Sequence, residues 1–253
     1  MPFKDHFSAH ARAYAEARPG YPPELFSWLA AQCPGHQLAW DVACGNGQAS
    51  VGLAGYFDRV WASDASASQI AAARPWAGVH YAVEPAEACT LGPASADLIA
   101  VAQAWHWFDQ ERFAAEVRRV LRPGGLFAAC NYGLSRVTPA VDAVFRHLHD
   151  DLLADDWPAQ RAFAVERFGE LPLPYPALAD TPTLAIECQW TLRQYSAYLR
   201  SWSASQRYLE RIGSDPVALL GADFARAWAD PERVRTVRWP LTLRACRKPG
   251  AES

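Results

Sequence analysis

Residues 38–47 read Leu-Ala-Trp-Asp-Val-Ala-Cys-Gly-Asn-Gly, an apolar run followed by a glycine-rich turn. The run 38–43 is almost continuously apolar, which is typical of a strand covered on both faces of a sheet. Asp41 is its acidic member, and a helix-like segment, 47–57, follows the turn. A strand, a tight turn and a helix in this order predict the first unit of an α/β sheet that binds a ligand at the carboxyl ends of its strands.

Strand-like and helix-like segments continue to alternate as far as residue 132. The further predicted strands are 59–63, 79–83, 97–102 and 126–131. The further predicted helices are one that opens at Pro23-Glu24, one over 66–74 and one capped by Asp109. Because strict alternation requires right-handed crossovers, we predict a doubly wound, mostly parallel α/β sheet.

The alternation stops after residue 132. Helical patterns are predicted over 139–168 and in two segments that run to about residue 228, with strands over 183–190 and 237–246. Pro240 in the last strand predicts a sheet edge or a bulge. We therefore expect one domain with four parts. These are an N-terminal lid and first helix (1–35), a cofactor-binding core (36–132), a helical insertion over the active site (133–180) and the C-terminal part of the sheet (181–253).

The composition is that of an ordinary globular chain and argues against several classes of protein. The 253 residues are 51% hydrophobic and carry a net charge of −3, which gives no basic field for a phosphate backbone. The six cysteines show no CxxC pair, so we expect neither zinc nor a disulfide framework. No run approaches the roughly 18 apolar residues of a membrane span, and we expect a cytoplasmic protein without a membrane or nucleic-acid partner.

Two features near the first turn predict a nucleotide-like ligand. Gly45 and Gly47 would let a ligand approach the backbone closely and leave helix N–H groups free. Asp64 ends the second strand, where a carboxylate can accept hydrogen bonds from both hydroxyls of a ribose. Two alternatives remain open: a glycine turn without a ligand, and an Asp64 that serves only as a turn or helix-cap residue beside Ser66.

The turn resembles the first motif of the class I S-adenosylmethionine (SAM)-dependent methyltransferases, roughly D-x-G-x-G-x-G. Asp41, Gly45 and Gly47 match the motif, and Ala43 replaces its first glycine. The resemblance implies SAM as the cofactor and a seven-stranded, Rossmann-like sheet with an antiparallel last strand. It also implies that adenine lies beside the segment after the third strand, near the Ala86 backbone and the Glu87 side chain.

Three further stretches resemble a subgroup of small-molecule methyltransferases that includes trans-aconitate methyltransferase-like proteins. They are Val-Ala-Gln-Ala-Trp-His-Trp-Phe-Asp at 101–109, Tyr14 with Arg18-Pro19-x-Tyr21-Pro22, and Val-Leu-Arg-Pro-Gly-Gly at 120–125. The resemblance covers residues of about 10–132 and implies methyl transfer to a small molecule, with a carboxylic acid as the acceptor that the trans-aconitate resemblance suggests. The candidate catalytic residues are His106, Trp105, Tyr14 and Arg18.

The fourth strand ends beside the expected position of the methyl group. Gln103 would contact the cofactor, and the aromatic residues 105–107 could stabilise a cationic sulfonium. His106 is either a general base for a hydroxyl or amine, or a structural or substrate-orienting residue, which we favour. A carboxylate acceptor needs no base and would instead pair with Arg18 or Arg207. The N-terminal segment with Tyr14 and Arg18 is the candidate lid that excludes water.

Two other functions remain open. A nicotinamide-dependent oxidoreductase would use the fingerprint G-x-G-x-x-G, but its third small position falls on Ser50 and leaves Asp41 without a task. A SAM-binding sensor without catalysis would share the same motifs. We expect a small-molecule acceptor, a monomer or weak homodimer, and no DNA or RNA substrate, because the amino-methylating motif N/D-P-P-Y/W is absent from the sequence.

Overall fold

The computed structural model describes residues 20–157 and 168–250. The strands are β1 Leu38–Val42, β2 Arg59–Asp64, β3 Val79–Val83, β4 Ala96–Ala102, β5 Leu121–Tyr132, β6 Leu184–Trp190 and β7 Arg235–Arg247. The helices are α1 Pro23–Ala31, α2 Gln48–Leu53, α3 Ala67–Ala72, α4 Gln110–Val120, α5 Pro139–Arg146, α6 Leu192–Arg200, α7 Ser203–Ile212, α8 Pro216–Leu219 and α9 Gly221–Trp228. None of the described helices is long and apolar enough to cross a membrane.

All seven strands form one sheet in the order β3-β2-β1-β4-β5-β7-β6. The first five strands pair in parallel, and β7 runs antiparallel to both of its neighbours, β5 and β6. This confirms the predicted doubly wound sheet with an antiparallel last strand. The strand order reverses between β1 and β4, so a crevice is expected outside the carboxyl ends of these two strands.

The segments after β5 differ from their predicted lengths. The helix predicted over 139–168 ends as an α-helix at Arg146 and continues as a π-helical stretch, His147–Leu152. Residues 158–167 of that prediction lie outside the described part of the chain. The two helical segments expected before residue 228 are four helices, α6 to α9, because Gly213 and the Asp215-Pro216 cap divide the pattern.

Pro240 does not lie in an edge strand, but the predicted irregularity is present beside it: the pairing of β7 with the chain after β5 shifts by one residue between the pairs Gly133–Pro240 and Arg136–Arg238. Its strand is flanked by β5 and β6, and its pairing with β6 runs in continuous register. The carbonyl oxygen of Pro240 accepts from the Gly133 N–H at 3.0 Å. In an antiparallel ladder the nitrogen and the carbonyl of one residue face the same neighbour. The missing N–H of Pro240 therefore faces Gly133, the residue just past Tyr132, where the ladder between β5 and β7 ends.

Two apolar clusters cover the two faces of the sheet. One joins α1 and α2 to the helices after β5, with buried residues such as Leu25, Phe145 and Phe224. The other joins α4 to the opposite face, with Phe113 and Phe127 at its centre. Since both faces are covered, the carboxyl ends of the parallel strands are where this fold presents a ligand site.

Candidate cofactor site

The turn after β1 takes a backbone conformation that favours glycine. Ala43, Gly45 and Gly47 have φ angles of 54°, 57° and 88°. The turn is tied to the sheet because the Cys44 N–H donates to the Ser63 carbonyl at 3.0 Å. Ala43 therefore adopts the left-handed conformation of the glycine that it replaces in the motif, despite its methyl group.

Asp64 joins the end of β2 to this turn. The Gly45 N–H donates to Asp64 Oδ2 and the Ser66 N–H donates to Asp64 Oδ1, both at 2.8 Å. Asp64 is only 9% exposed. The turn and the acid thus face each other, as the sequence predicted, and Asp64 also takes the structural role that had been left open. A carboxylate oxygen can accept more than one hydrogen bond, so a carboxylate at this position can bind hydroxyl groups as well as backbone N–H groups.

Asp41 lies beneath the turn and is fully buried. Its Oδ2 accepts from the Ser50 hydroxyl at 2.5 Å, and Oδ1 has no hydrogen-bond partner among the described residues. Burial raises the pKa of Asp41 to about 7; the Ser50 hydrogen bond opposes this rise and the negative charge of Asp64 adds to it. The hydrogen bond from Ser50, which lies in α2, thus joins Asp41 to the helix that follows the turn.

Tyr81, which no motif in the sequence indicated, completes the underside of the turn. Its hydroxyl occupies the space where a side chain at Gly47 would be: a Cβ there would lie 2.2 Å from Tyr81 Oη. The hydroxyl has no hydrogen-bond partner among the described residues. Burial, followed by the charges of Cys44 and Asp41, raises the pKa of Tyr81 to about 12. The sequence of β3, Val-His-Tyr-Ala-Val, gave no local signal of this contact, which depends on the order of the strands in the sheet.

The segment after β3 is fixed from two sides. Glu87 Oε1 accepts from the Asp109 N–H at 2.9 Å, and Ala86 is buried against the core. Glu116 on α4 accepts from the Cys89 N–H at 2.9 Å, and Arg119 donates to the Leu91 carbonyl at 2.6 Å. The segment predicted to face adenine is therefore held in place by hydrogen bonds before any ligand binds.

Gln103 follows β4 at the mouth of the crevice. Its φ of 63° is unusual for a residue with a side chain, and its N–H donates to the Cys130 carbonyl at 2.9 Å. Its side-chain Nε2 is buried without a hydrogen-bond partner among the described residues. Strained backbone and an unsatisfied amide at the end of a central strand are typical of a binding site.

The aromatic residues after Gln103 point in different directions. Trp107 is 38% exposed, and its ring centroid lies 5.0 Å from that of the His106 imidazole. Trp105 is 1% exposed and packs edge-on against Phe127 and Phe168 in the core. The one-turn 3-10 helix that Trp105 begins thus directs its side chain into the core, and this packing gives no support to its predicted catalytic role.

The remaining predicted residues are not brought to the crevice by the described structure. Tyr14 and Arg18, with the predicted N-terminal lid, lie outside the described residues. Arg207 on α7 donates to the Asp156 carbonyl at 3.4 Å, in the helical part of the molecule. Within the ranges that the structure describes, no cluster of His, Cys, Asp or Glu could hold a metal ion.

The chemistry of these groups fits an adenosyl sulfonium. The site combines a glycine turn that admits close approach, a carboxylate at the end of β2 and a buried acid whose Oδ1 has no hydrogen-bond partner in the described part of the chain. A cation bound above the turn would be stabilised by the two acids, Asp41 and Asp64. Hydroxyl groups at Asp64 would find a charged acceptor.

Comparisons with known proteins agree with this fit. A family model described as a methyltransferase domain matches residues 40–129. A protein of Dictyostelium discoideum that is named as a methyltransferase is 31% identical over 232 residues, which cover 89% of this chain and 87% of that protein. The structure of a type II methyltransferase from Anaeromyxobacter dehalogenans is 47% identical, with a TM-score of 0.87, over 92% of this chain and 99% of that one.

A more distant structure shares the fold. Phosphoethanolamine N-methyltransferase 2 of Haemonchus contortus, solved with S-adenosyl-L-methionine, has a TM-score of 0.51 at 19% identity. The match covers 96% of this chain and 57% of the nematode protein.

Proposed function

This chain belongs to the class I SAM-dependent methyltransferases, and from that membership we propose that it methylates a small-molecule acceptor, most directly a carboxylic acid. SAM is the cofactor, and the family assignment replaces the nicotinamide alternative. The observation that carries the proposed cofactor site is the Asp64 carboxylate held at 2.8 Å from the Gly45 N–H.

In the proposed site, each group has a separate task. Asp64 accepts the ribose hydroxyls, and the turn at Gly45 and Gly47 admits the amino-acid end of the cofactor. Ala86 and Glu87 border adenine, with one Glu87 oxygen already engaged by the Asp109 N–H. When bound, SAM supplies an activated methyl group, so the protein has to hold the acceptor in line with it and exclude water.

The acceptor is proposed to lie beside the end of β4. Gln103 supplies an unsatisfied amide donor there, and His106 and Trp107 form its aromatic border. A carboxylate acceptor is already ionised at neutral pH and needs no general base. His106 then orients the acceptor, and we propose Arg18 as the cation that pairs with it.

The acceptor class can be tested with tritium-labelled SAM. The purified protein is incubated with a panel of small carboxylic acids and a matched panel of phenols, and label transfer to the organic product is counted. We expect transfer to a carboxylic acid, and Arg18→Gln should raise the KM of that acid more than it lowers kcat. Transfer to phenols alone would contradict the acceptor class. Tight SAM binding without transfer to any acceptor would favour a sensor.

The role of Asp64 can be separated from its support of the turn. Asp64→Ala should weaken SAM binding by at least about 1.5 kcal/mol, because the hydroxyls lose a charged acceptor. The control ligand is an S-adenosylhomocysteine analogue without ribose hydroxyls, measured by calorimetry on both proteins. Equal affinity of that analogue for both proteins is the expected result. An equal loss with both ligands would show that Asp64 acts only through the turn.

A further inference from the structure

Asp41 and Tyr81 occupy the same row of the sheet. The register aligns Asp41 with Ala62 and Ala62 with Tyr81, so the two polar residues lie on one face with a single residue between them. Ala62 has only a methyl side chain, which leaves room for the tyrosine to lean over β2 toward β1. The row runs directly under the glycine turn, since Ser50 of α2 reaches down to Asp41.

The lack of a side chain at Gly47 makes room for the ring of Tyr81. A Cβ at Gly47 would lie within 2.2–2.9 Å of Tyr81 Oη, Cε1 and Cζ, so the ring rests against the turn itself. Two buried polar atoms thus face this space without a hydrogen bond among the described residues: the acceptor Asp41 Oδ1 and the donor Tyr81 Oη. An unmet acceptor and an unmet donor in one small region mark a group whose charge state is open to change.

Among the residues that the structure describes, the groups that interact electrostatically with Asp41 come from several elements, and none of them is a cation. They are Ser50 on α2, Asp64 on β2, Cys44 in the turn, Tyr81 on β3 and Cys130 on β5. Burial, and after it the negative charge of Asp64, raises the pKa of Asp41 to about 7 against the opposing effect of the Ser50 hydrogen bond. A cation bound above the turn would be the first positive charge in this set and would favour the ionised acid.

We propose that binding of the cationic cofactor releases a proton from Asp41, and that Tyr81 is a positioning residue for this step. The Asp41 O–H bond breaks, the proton leaves to the buffer, and the carboxylate is stabilised by hydrogen bonds from the Ser50 and Tyr81 hydroxyls. The proposal rests on the proposed cofactor site at the glycine turn. It makes cofactor affinity depend on pH through a residue that the cofactor does not touch.

Calorimetry of SAM binding between pH 6 and pH 8 tests the proposal, with two buffers of different ionisation enthalpy at each pH to count released protons. For the wild-type protein we expect release of up to one proton near pH 6 and an affinity about tenfold higher at pH 8 than at pH 6. Asp41→Asn should remove this linked proton. The proton release that remains in Asp41→Asn comes from the amino group of SAM itself. It is subtracted from the release measured with the wild-type protein.

Tyr81→Phe keeps the ring against Gly47 and removes only the hydroxyl. We expect the midpoint of the affinity profile to move to higher pH, because the carboxylate loses a donor. Ser50→Ala should move it in the same direction and serves as the second variant if Tyr81→Phe does not fold. Tyr56→Phe is the matched control, since Tyr56 is a 40% exposed tyrosine away from this row.

The outcomes separate the two claims. Equal proton release by the wild-type protein and Asp41→Asn overturns the linkage, and an unchanged midpoint in Tyr81→Phe overturns the role of Tyr81. In both cases SAM still binds, and the proposed cofactor site stands. Absence of SAM binding at every pH would overturn the cofactor site and this proposal together.

Discussion

Ala43 has a φ of 54°, a region in which the methyl group of alanine crowds the neighbouring carbonyl. The left-handed conformation costs a residue with a side chain about 1–2 kcal/mol. Glycine avoids this cost but loses more entropy on folding, by about 0.4–1 kcal/mol. The turn of this protein therefore carries strain that the usual glycine of the motif would not have.

Ala43→Gly should stabilise the protein slightly. We expect an increase of up to about 1 kcal/mol in the free energy of unfolding, measured by urea denaturation. Ala82→Gly, in the middle of strand β3, is the control and should destabilise by about 0.5–1 kcal/mol. If both substitutions destabilise to the same extent, the turn is not strained at Ala43.

Asp41 reduces the stability of the ligand-free protein as pH rises. Its folded-state pKa of about 7 lies above the unfolded value of 3.8. Its contribution is therefore fully present below pH 3.8 and is lost as pH rises through 7. Asp41→Asn removes this titration, so its advantage over wild type should grow between pH 5 and pH 8 by roughly 2–3 kcal/mol. Urea unfolding at the two pH values without ligand checks this, and a constant difference would contradict it.

Single residues were predictable from sequence where a motif fixes their position along the chain. Asp64 and Gly45 were expected to face each other because both lie at the carboxyl ends of neighbouring parallel strands. The distance from the Gly45 nitrogen to Asp64 Oδ2 is 2.8 Å. Tyr81 was not predictable, since it meets Gly47 only through the order of three strands. The burial of Trp105 was not predictable either, because a run of aromatic residues does not indicate which ring turns inward.

Helix α4 acts as a clamp for the segment after β3. Glu116 and Arg119 form an ion pair at 2.5 Å, and both bind backbone groups of residues 89–91. Burial raises the pKa of Glu116, but hydrogen bonds from Arg119 and the Cys89 backbone outweigh this effect and lower it. The helix thus holds the proposed adenine segment through an ionised carboxylate.

Glu116→Gln should loosen this clamp without touching the reacting groups. The amide oxygen can still accept from Cys89, but the ion pair is lost. We expect the KM for SAM to rise about fivefold, the equivalent of ~1 kcal/mol, with little change in kcat. Glu111→Gln, an exposed substitution on the same helix, is the control. A fall in kcat at constant KM would contradict a positioning role.

Strands and helices were predicted best where the pattern of hydrophobic residues is regular. The five parallel strands were placed within a few residues, except that β5 begins at Leu121 and not at 126. Its early part contains Pro123 and two glycines, which are poor strand formers, and only pairing with β4 reveals it. Helix α2 ends at Leu53 and not at 57, because Gly52 and Gly55 weaken the helix there.

The molecule as a whole has one continuous core on the α1 side of the sheet. Buried residues from Leu25 at one end to Ala245 at the other belong to a single cluster, which includes Trp202 and Trp228 of the C-terminal helices. Trp239 extends this link, because its Nε1 donates to the Tyr198 hydroxyl at 3.0 Å. The helices after β5 therefore pack as part of the sheet's domain.

We accordingly propose that the chain unfolds as one domain. Tryptophan fluorescence and far-ultraviolet circular dichroism should give coincident urea transitions, because the fluorophores lie in both halves of the core. Saturating SAM should shift both transitions by the same amount. Two separated transitions, only one of which responds to SAM, would show that the helices after β5 form an independent unit.

The position of β7 has a consequence for how the protein is made. Strand β6 pairs with β7, which lies between it and β5 although it is the later strand along the chain. While residues 235–247 are still inside the ribosome, β5 has one bare edge and β6 has no strand to join. A nascent chain arrested at that point would expose both edges to other chains, which is the geometry that starts aggregation. The sheet can therefore be completed only after residues 235–247 have been translated and β7 has paired with both β5 and β6.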